Sequence, residues 1–220
     1  MNKIKVKICC ISSIEEAKLA ISEGASALGL VSEMPSGPGV ISEDTIKKIA
    51  NIVPENIDTF LLTSKQDTNS IIEQLRRCKT STVQIVDDLV DGNYSDIRKE
   101  LPYIKIVQVL HVQNEQSIED AKKLDGQVDA ILLDSGNQNL EVKELGGTGK
   151  THDWSISKKI VESVNVPVFL AGGINPINVK EAMNSVKPYG VDLCSSVRTN
   201  GCLDKNKLKE FFAQINSIKK

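Results

Sequence analysis

A chain of 220 residues, 40% hydrophobic and 25% charged, fits one large domain or two small ones and is long enough to bury a sizeable core. With 27 Lys and Arg against 29 Asp and Glu, a net charge of -2 and only 4% aromatic residues, it has neither the basic field nor the stacking surface of a nucleic-acid binder. The opening Met1-Asn2-Lys3-Ile4-Lys5-Val6-Lys7 alternates charged and apolar residues and leads into no long hydrophobic run, which predicts a cytoplasmic protein without signal peptide or membrane span.

In chain order, the first β-branched run covers residues 4–9 and precedes a helical pattern over 13–22. There Ile14, Ala17, Ala20 and Ile21 share a face, and Ser12 or Ser13 can cap the start. Further strands are expected at 27–31, 59–62, 82–86, 104–112, 130–134, 166–171 and 191–195. Helical patterns fall between them at 41–53, 69–78, 94–101, 117–124, 155–164 and 178–186, and after the last at 205–218. Eight such units with no linker predict a single (β/α)8 TIM barrel over residues 1–220, an architecture that usually takes roughly 250 residues. An open doubly wound sheet would normally show G-x-G-x-x-G at its first strand turn, where this chain reads Cys9-Cys10-Ile11-Ser12. Barrels keep their chemistry at the carboxyl ends of the strands, so Cys9, Asp134, Gly172, Gly173, Ser195 and Ser196 are expected on one face.

After the sixth strand comes Gly146-Gly147-Thr148-Gly149-Lys150-Thr151-His152-Asp153-Trp154, whose glycines leave backbone N–H groups free to approach an anion. A phosphorylated small molecule is the ligand this predicts, with Gly147 and Gly149 as contacts. Gly172 and Gly173 precede Asn175-Pro176-Ile177-Asn178, which can open a helix with its N-terminus toward a phosphate, and Ser195 and Ser196 can complete the cradle. The same glycines and serines also serve a tight turn and helix caps. The five cysteines, Cys9, Cys10, Cys78, Cys194 and Cys202, predict reduced thiols rather than a disulfide framework. Vicinal Cys9 and Cys10 with isolated His111 and His152 lack zinc-ligand spacing, so no metal is expected. A Ser-His-Asp hydrolase is disfavoured because no G-x-S-x-G is present.

Five segments together resemble the phosphoribosylanthranilate isomerase family: Lys7-Ile8-Cys9, Leu132-Leu133-Asp134-Ser135, the glycine loop ending at Trp154, Leu170-Ala171-Gly172-Gly173-Ile174-Asn175-Pro176, and Gly190-Val191-Asp192-Leu193. The resemblance implies a cofactor-free Amadori rearrangement in tryptophan biosynthesis, from a phosphoribosyl aryl amine to a 1-amino-1-deoxyketose phosphate. Asp134 matches the acid that opens the ribose ring and Cys9 the base that removes the C2 proton, while Asp192 falls among the substrate-binding positions. Without the resemblance, the alternative reading of Cys9 is a buried strand-end thiol, the usual fate of cysteine, and that of Asp134 a carboxylate fixing its own loop.

Departures from the family pattern fall in four places and bear on recognition of the amine. The family's Ser-Pro-Arg is Ser36-Gly37-Pro38 here, its Cys-Gly is Cys9-Cys10, its Gln-Leu-His-Gly is Gln84-Ile85-Val86-Asp87, and its Ser-Ser-Gly-Val-Glu is Cys194-Ser195-Ser196-Val197-Arg198. Pro38 removes the arginine that would pair with the anthranilate carboxylate. Arg198 can supply a substitute guanidinium or bridge to a surface acid such as Asp204. A related isomerase acting on another amine, or a noncatalytic phosphate-binding barrel, are the alternative functions. A monomer or homodimer is expected.

Overall fold

The computed structural model describes residues 4–136 and 152–218. Eight parallel strands close in simple order: β1 (Lys5–Ile8), β2 (Ala27–Val31), β3 (Asp58–Thr63), β4 (Thr82–Ile85), β5 (Lys105–His111), β6 (Ala130–Asp134), β7 (Val168–Leu170) and β8 (Gly190–Leu193). Closure comes from β1 against β8, with Lys5 opposite Gly190 and Ile8 opposite Leu193. The helices α1 (Ile14–Glu23), α2 (Glu43–Ile52), α3 (Thr68–Cys78), α4 (Tyr94–Glu100), α5 (Gln116–Leu124), α6 (Trp154–Ser163), α7 (Val179–Val186) and α8 (Lys205–Asn216) follow the strands in turn. The expected (β/α)8 barrel is what the chain forms.

Strand side chains alternate between two cores because successive Cβ atoms leave a strand on opposite faces. Ile8, Leu28, Leu30, Leu61, Val83, Ile85, Ile131 and Leu170 pack outward against the helices. The alternate positions, Cys9, Ala27, Val31, Phe60, Leu62, Val107, Leu132 and Phe169 among them, fill the barrel interior. Six of these helix starts follow side-chain caps, while α5 and α7 have none. Ser13, rather than Ser12, accepts from the Glu16 N–H, and Ser42, Asp67, Asn93, Asp153 and Asp204 cap α2, α3, α4, α6 and α8.

The last unit departs from expectation. β8 stops at Leu193, so Ser195 begins a 3-10 turn (Ser195–Val197) instead of ending the strand. Arg198–Thr199 and Cys202–Leu203 then form a small antiparallel hairpin, β9 and β10, that the sequence pattern does not announce. Two-residue strands are too short to show a period. Among the described residues no helix is long and apolar enough to cross a membrane.

Candidate active site

A pocket at the carboxyl mouth of the barrel is lined by Cys9, Asp134, Gly172, Gly173, Asp192, Ser195 and Ser196, seven of the ten residues the sequence nominates. Gly147 and Gly149 lie outside the described residues. Arg198 is in the structure but turned elsewhere.

Asp134 ends β6 as a buried residue, 9% exposed. Its Oδ1 accepts from the Ser135 N–H at 2.7 Å. Burial pushes this carboxyl up to about 6, opposed by the Ser135 bond and reinforced by the charge of Asp192. Cys9 follows β1 and its N–H still joins the ladder to Leu193 at 2.7 Å. Its thiol is lowered, first by a hydrogen bond from Cys10, then against burial by the charge of Lys7.

Lys7 lies two residues before Cys9 and so shares its inward face. It is fully buried, with Nζ 2.9 Å from Asp192 Oδ2 and 5.3 Å from the centroid of Phe60. Burial works against the Lys7 ammonium, but Asp192 and the neighbouring thiols more than reverse that and hold it above its ordinary value. The same burial pushes the Asp192 carboxyl up against the pull of Lys7. A 2.9 Å contact to an ammonium that remains charged favours the ionised pair. Gly29 on β2 makes room for this arrangement. A Cβ there would stand 2.7 Å from Cys9 Sγ and 3.0 Å from Lys7 Nζ.

The wall from β7 is backbone. Gly172 and Gly173 adopt φ of 75° and 66°, left-handed values that suit glycine. Asn175 Oδ1 accepts from the N–H groups of Ile177 and Asn178, and the Asn178 amide donates to Gly173 O at 3.0 Å, fixing the turn into α7. Ser195 and Ser196 face this wall from the 3-10 turn.

The opposite wall is different. Met34, Gly37 and Pro38 from the β2–α2 loop join Leu62, Gln84 and Val86 there, and among the described lining residues none is Lys or Arg. Cys10 sits at φ 62°, a conformation that explains why the family favours glycine. Its thiol contacts the Pro38 carbonyl at 3.5 Å and receives the Cys194 thiol at 2.7 Å. Gln84 Oε1 is buried without a partner among the described residues.

Arg198 corrects both expectations held for it. Its side chain is 8% exposed, and its guanidinium grips Glu16 through two contacts of 3.0 and 3.2 Å. It also donates to the carbonyls of Cys9, Cys10 and Gly201. A guanidinium so occupied is not among the residues lining the pocket, and its contacts tie the hairpin to α1 and the first strand turn. Asp204, its other expected partner, instead caps α8 and accepts from the Thr199 hydroxyl at 2.7 Å. His152, expected in the loop, packs on α6 with Nε2 2.7 Å from the Ser157 hydroxyl, and burial lowers it to about 4.

The family model of N-(5'-phosphoribosyl)anthranilate (PRA) isomerase matches residues 6–214. The chain belongs to the phosphoribosylanthranilate isomerase family. An N-(5'-phosphoribosyl)anthranilate isomerase of Methanosarcina acetivorans is 34% identical, the match covering 97% of this chain and 93% of the relative. The solved phosphoribosyl anthranilate isomerase of Thermotoga maritima superposes with a TM-score of 0.80 at 27% identity, covering 98% of this chain and all of that one. A further phosphoribosyl anthranilate isomerase, solved with reduced 1-(o-carboxyphenylamino)-1-deoxyribulose 5-phosphate, shares the fold with a TM-score of 0.77 at 24% identity, covering 98% and 100%.

Lys7, buried beside Cys9, and Glu16, which anchors Arg198, are residues around the site that motif reading leaves without a role. Strand parity is the signal for Lys7, since residue i-2 of an inward-facing Cys9 must also face inward. Glu16 has no comparable signal, because its partner is 182 residues away.

Proposed function

We propose that Cys9 and Asp134 carry the phosphoribosylanthranilate isomerase activity of this family member, as base and acid in one pocket. Asp134 protonates the ribose ring oxygen, the C1–O bond breaks, and the amine nitrogen lone pair forms the C1=N bond of an iminium. The iminium acidifies C2–H. The Cys9 thiolate removes that proton, giving an enolamine whose tautomerisation places a proton on C1 and a carbonyl at C2. The product is the 1-amino-1-deoxyketose phosphate, with no redox partner, as a step of tryptophan biosynthesis.

The observation that carries this reading is the placement of Cys9 and Asp134 on one cavity, with the carboxyl raised to about 6. At neutral pH roughly a tenth of such a group is protonated, enough for an acid near its operating range. The phosphate is assigned to the Gly172-Gly173 turn, the start of α7 and the Ser195-Ser196 turn, where N–H donors and a positive helix end coincide. Five free thiols fit residence in the cytoplasm.

The test is turnover of phosphoribosylanthranilate generated in place, by the purified protein and by Cys9→Ala and Asp134→Asn. Each substitution is expected to lower kcat by about 100-fold or more. Near-normal turnover in either would remove that residue from the chemistry.

A further inference from the structure

A thiol two residues from a buried lysine is a combination that the acid-base reading leaves unexplained. Lys7 is an interior residue with no solvent access, although a barrel layer is normally filled by branched apolar side chains. Its ammonium has one anionic oxygen, Asp192 Oδ2 at 2.9 Å, and one aromatic face, Phe60. Cys9 Sγ and Lys7 Nζ lie 2.7 and 3.0 Å from the single point where a Gly29 Cβ would stand, so they are no more than about 5.7 Å apart. At that distance, in a water-poor interior, a positive charge favours a thiolate over a thiol.

We propose that Lys7 is a positioning residue for the isomerisation, its buried ammonium holding the Cys9 sulfur in the anionic form a base requires. Asp192 has a matching part. Its carboxylate anchors Lys7, and because it is itself negative it weakens the hold on Cys9, so the pair sets how far the thiol is driven toward ionisation. The remaining groups facing the sulfur do not replace Lys7. Cys10 lowers the Cys9 thiol through a hydrogen bond but brings no positive charge, Cys194 is a thiol, Asp134 is an acid, and β2 contributes only Gly29 and the apolar Ala27 and Val31. Arg198 approaches Cys9 and Cys10 from outside the pocket and is bound to their carbonyls and to Glu16. The lowered Cys9 thiol and the raised Lys7 ammonium agree with this geometry.

The proposal rests on Cys9 as the base, and its test reads the thiol without turnover. In the full-length protein, the rate of Cys9 alkylation by iodoacetamide is followed from acid to alkaline pH, with peptide fragmentation separating label on Cys9 from label on Cys10. Lys7→Met is expected to move the Cys9 titration up by about one to two pH units, the scale of one nearby charge in the interior. Asp192→Asn is expected to move it down. The acidic limb of kcat/KM should shift with the alkylation curve in each variant. Opposite signs are the signature, since a general loosening of the barrel would move both variants the same way. If Lys7→Met does not fold, the downward shift in Asp192→Asn carries the test alone. A Cys9 titration unmoved in Lys7→Met, or unmoved or raised in Asp192→Asn, overturns the proposal. A fully active Cys9→Ala protein would instead defeat the base assignment and leave the thiol titration interpretable.

Discussion

The two walls of the pocket are built from different materials. On one side lie the serine turn and the backbone of Gly172 and Gly173, a turn fixed by the Asn175 and Asn178 side-chain amides, which donate to the Gly173 carbonyl. On the other, the pocket is lined by the side chains of Met34, Pro38, Leu62 and Val86. A wall of backbone tolerates drift in sequence as long as the turn survives. A wall of side chains changes its chemistry with each substitution. This is why the family pattern holds after β7 and fails in the β2–α2 loop, where Pro38 stands in place of an arginine. Between the walls lie Cys9 and Asp134.

The largest expected effect tests that separation. With its carboxyl raised from 3.8 to about 6, Asp134, the acid of the proposed mechanism, holds its proton below that value and loses it as pH rises through it. An Asp134-dependent limb of kcat/KM should therefore lie near pH 6, where an ordinary aspartate would place it near 4. Asp134→Asn should erase this limb as well as lowering turnover by about 100-fold. A limb unchanged in the asparagine protein would assign it to another group and loosen the link between site geometry and chemistry.

How far the sequence foretells the molecule depends on the distance over which each feature is decided. Strand and helix alternation is local, so all eight units and their order are legible, as is the placement of Cys9 and Asp134 at strand ends. The Gly172-Gly173 turn is legible because its residues lie side by side. What is hidden are the contacts made when β8 closes on β1. Lys7 with Asp192 and Arg198 with Glu16 join residues more than 180 positions apart, and no local pattern pairs them. Arg198 shows the consequence most clearly. Its position just after the last strand suggests a substrate contact, yet hairpin β9–β10 turns it onto Glu16 and the backbone of the first strand turn.

Arg198→Ala sharpens the comparison by separating scaffold from recognition. Glu16 would keep the N–H groups of Ser12 and Leu203 but lose its charged partner at a site only 13% exposed. A loss of about 2 kcal/mol is expected. For a chain of this size that lowers Tm by about 4 to 8 °C. Turnover should fall by one common factor for phosphoribosylanthranilate and for an analogue whose ring lacks the carboxylate. A loss confined to the carboxylate-bearing substrate would return Arg198 to the amine site, since only a direct contact discriminates between ligands that differ in that group.

The smallest effect addresses the side-chain wall itself. Pro38→Arg places a guanidinium at the position the family uses, on a loop whose Pro38 carbonyl already lies against Cys10 and whose residue 38 lines the pocket. The carbonyl is retained by any residue, so the Cys10 contact need not be lost. A charged hydrogen bond to a carboxylate is worth about 1.5 to 3 kcal/mol when fully formed, and a graft onto an unprepared loop should realise about half of that or less. The expected result is a KM for phosphoribosylanthranilate lowered by about 3- to 10-fold, with kcat and the KM of the carboxylate-free analogue nearly unchanged. Uniform binding of this kind lowers KM without touching the barrier, because the carboxylate carries the same charge in substrate and transition state. If instead both substrates respond alike, residue 38 does not face the carboxylate, and amine recognition in this chain rests on the apolar wall formed by Met34, Leu62 and Val86.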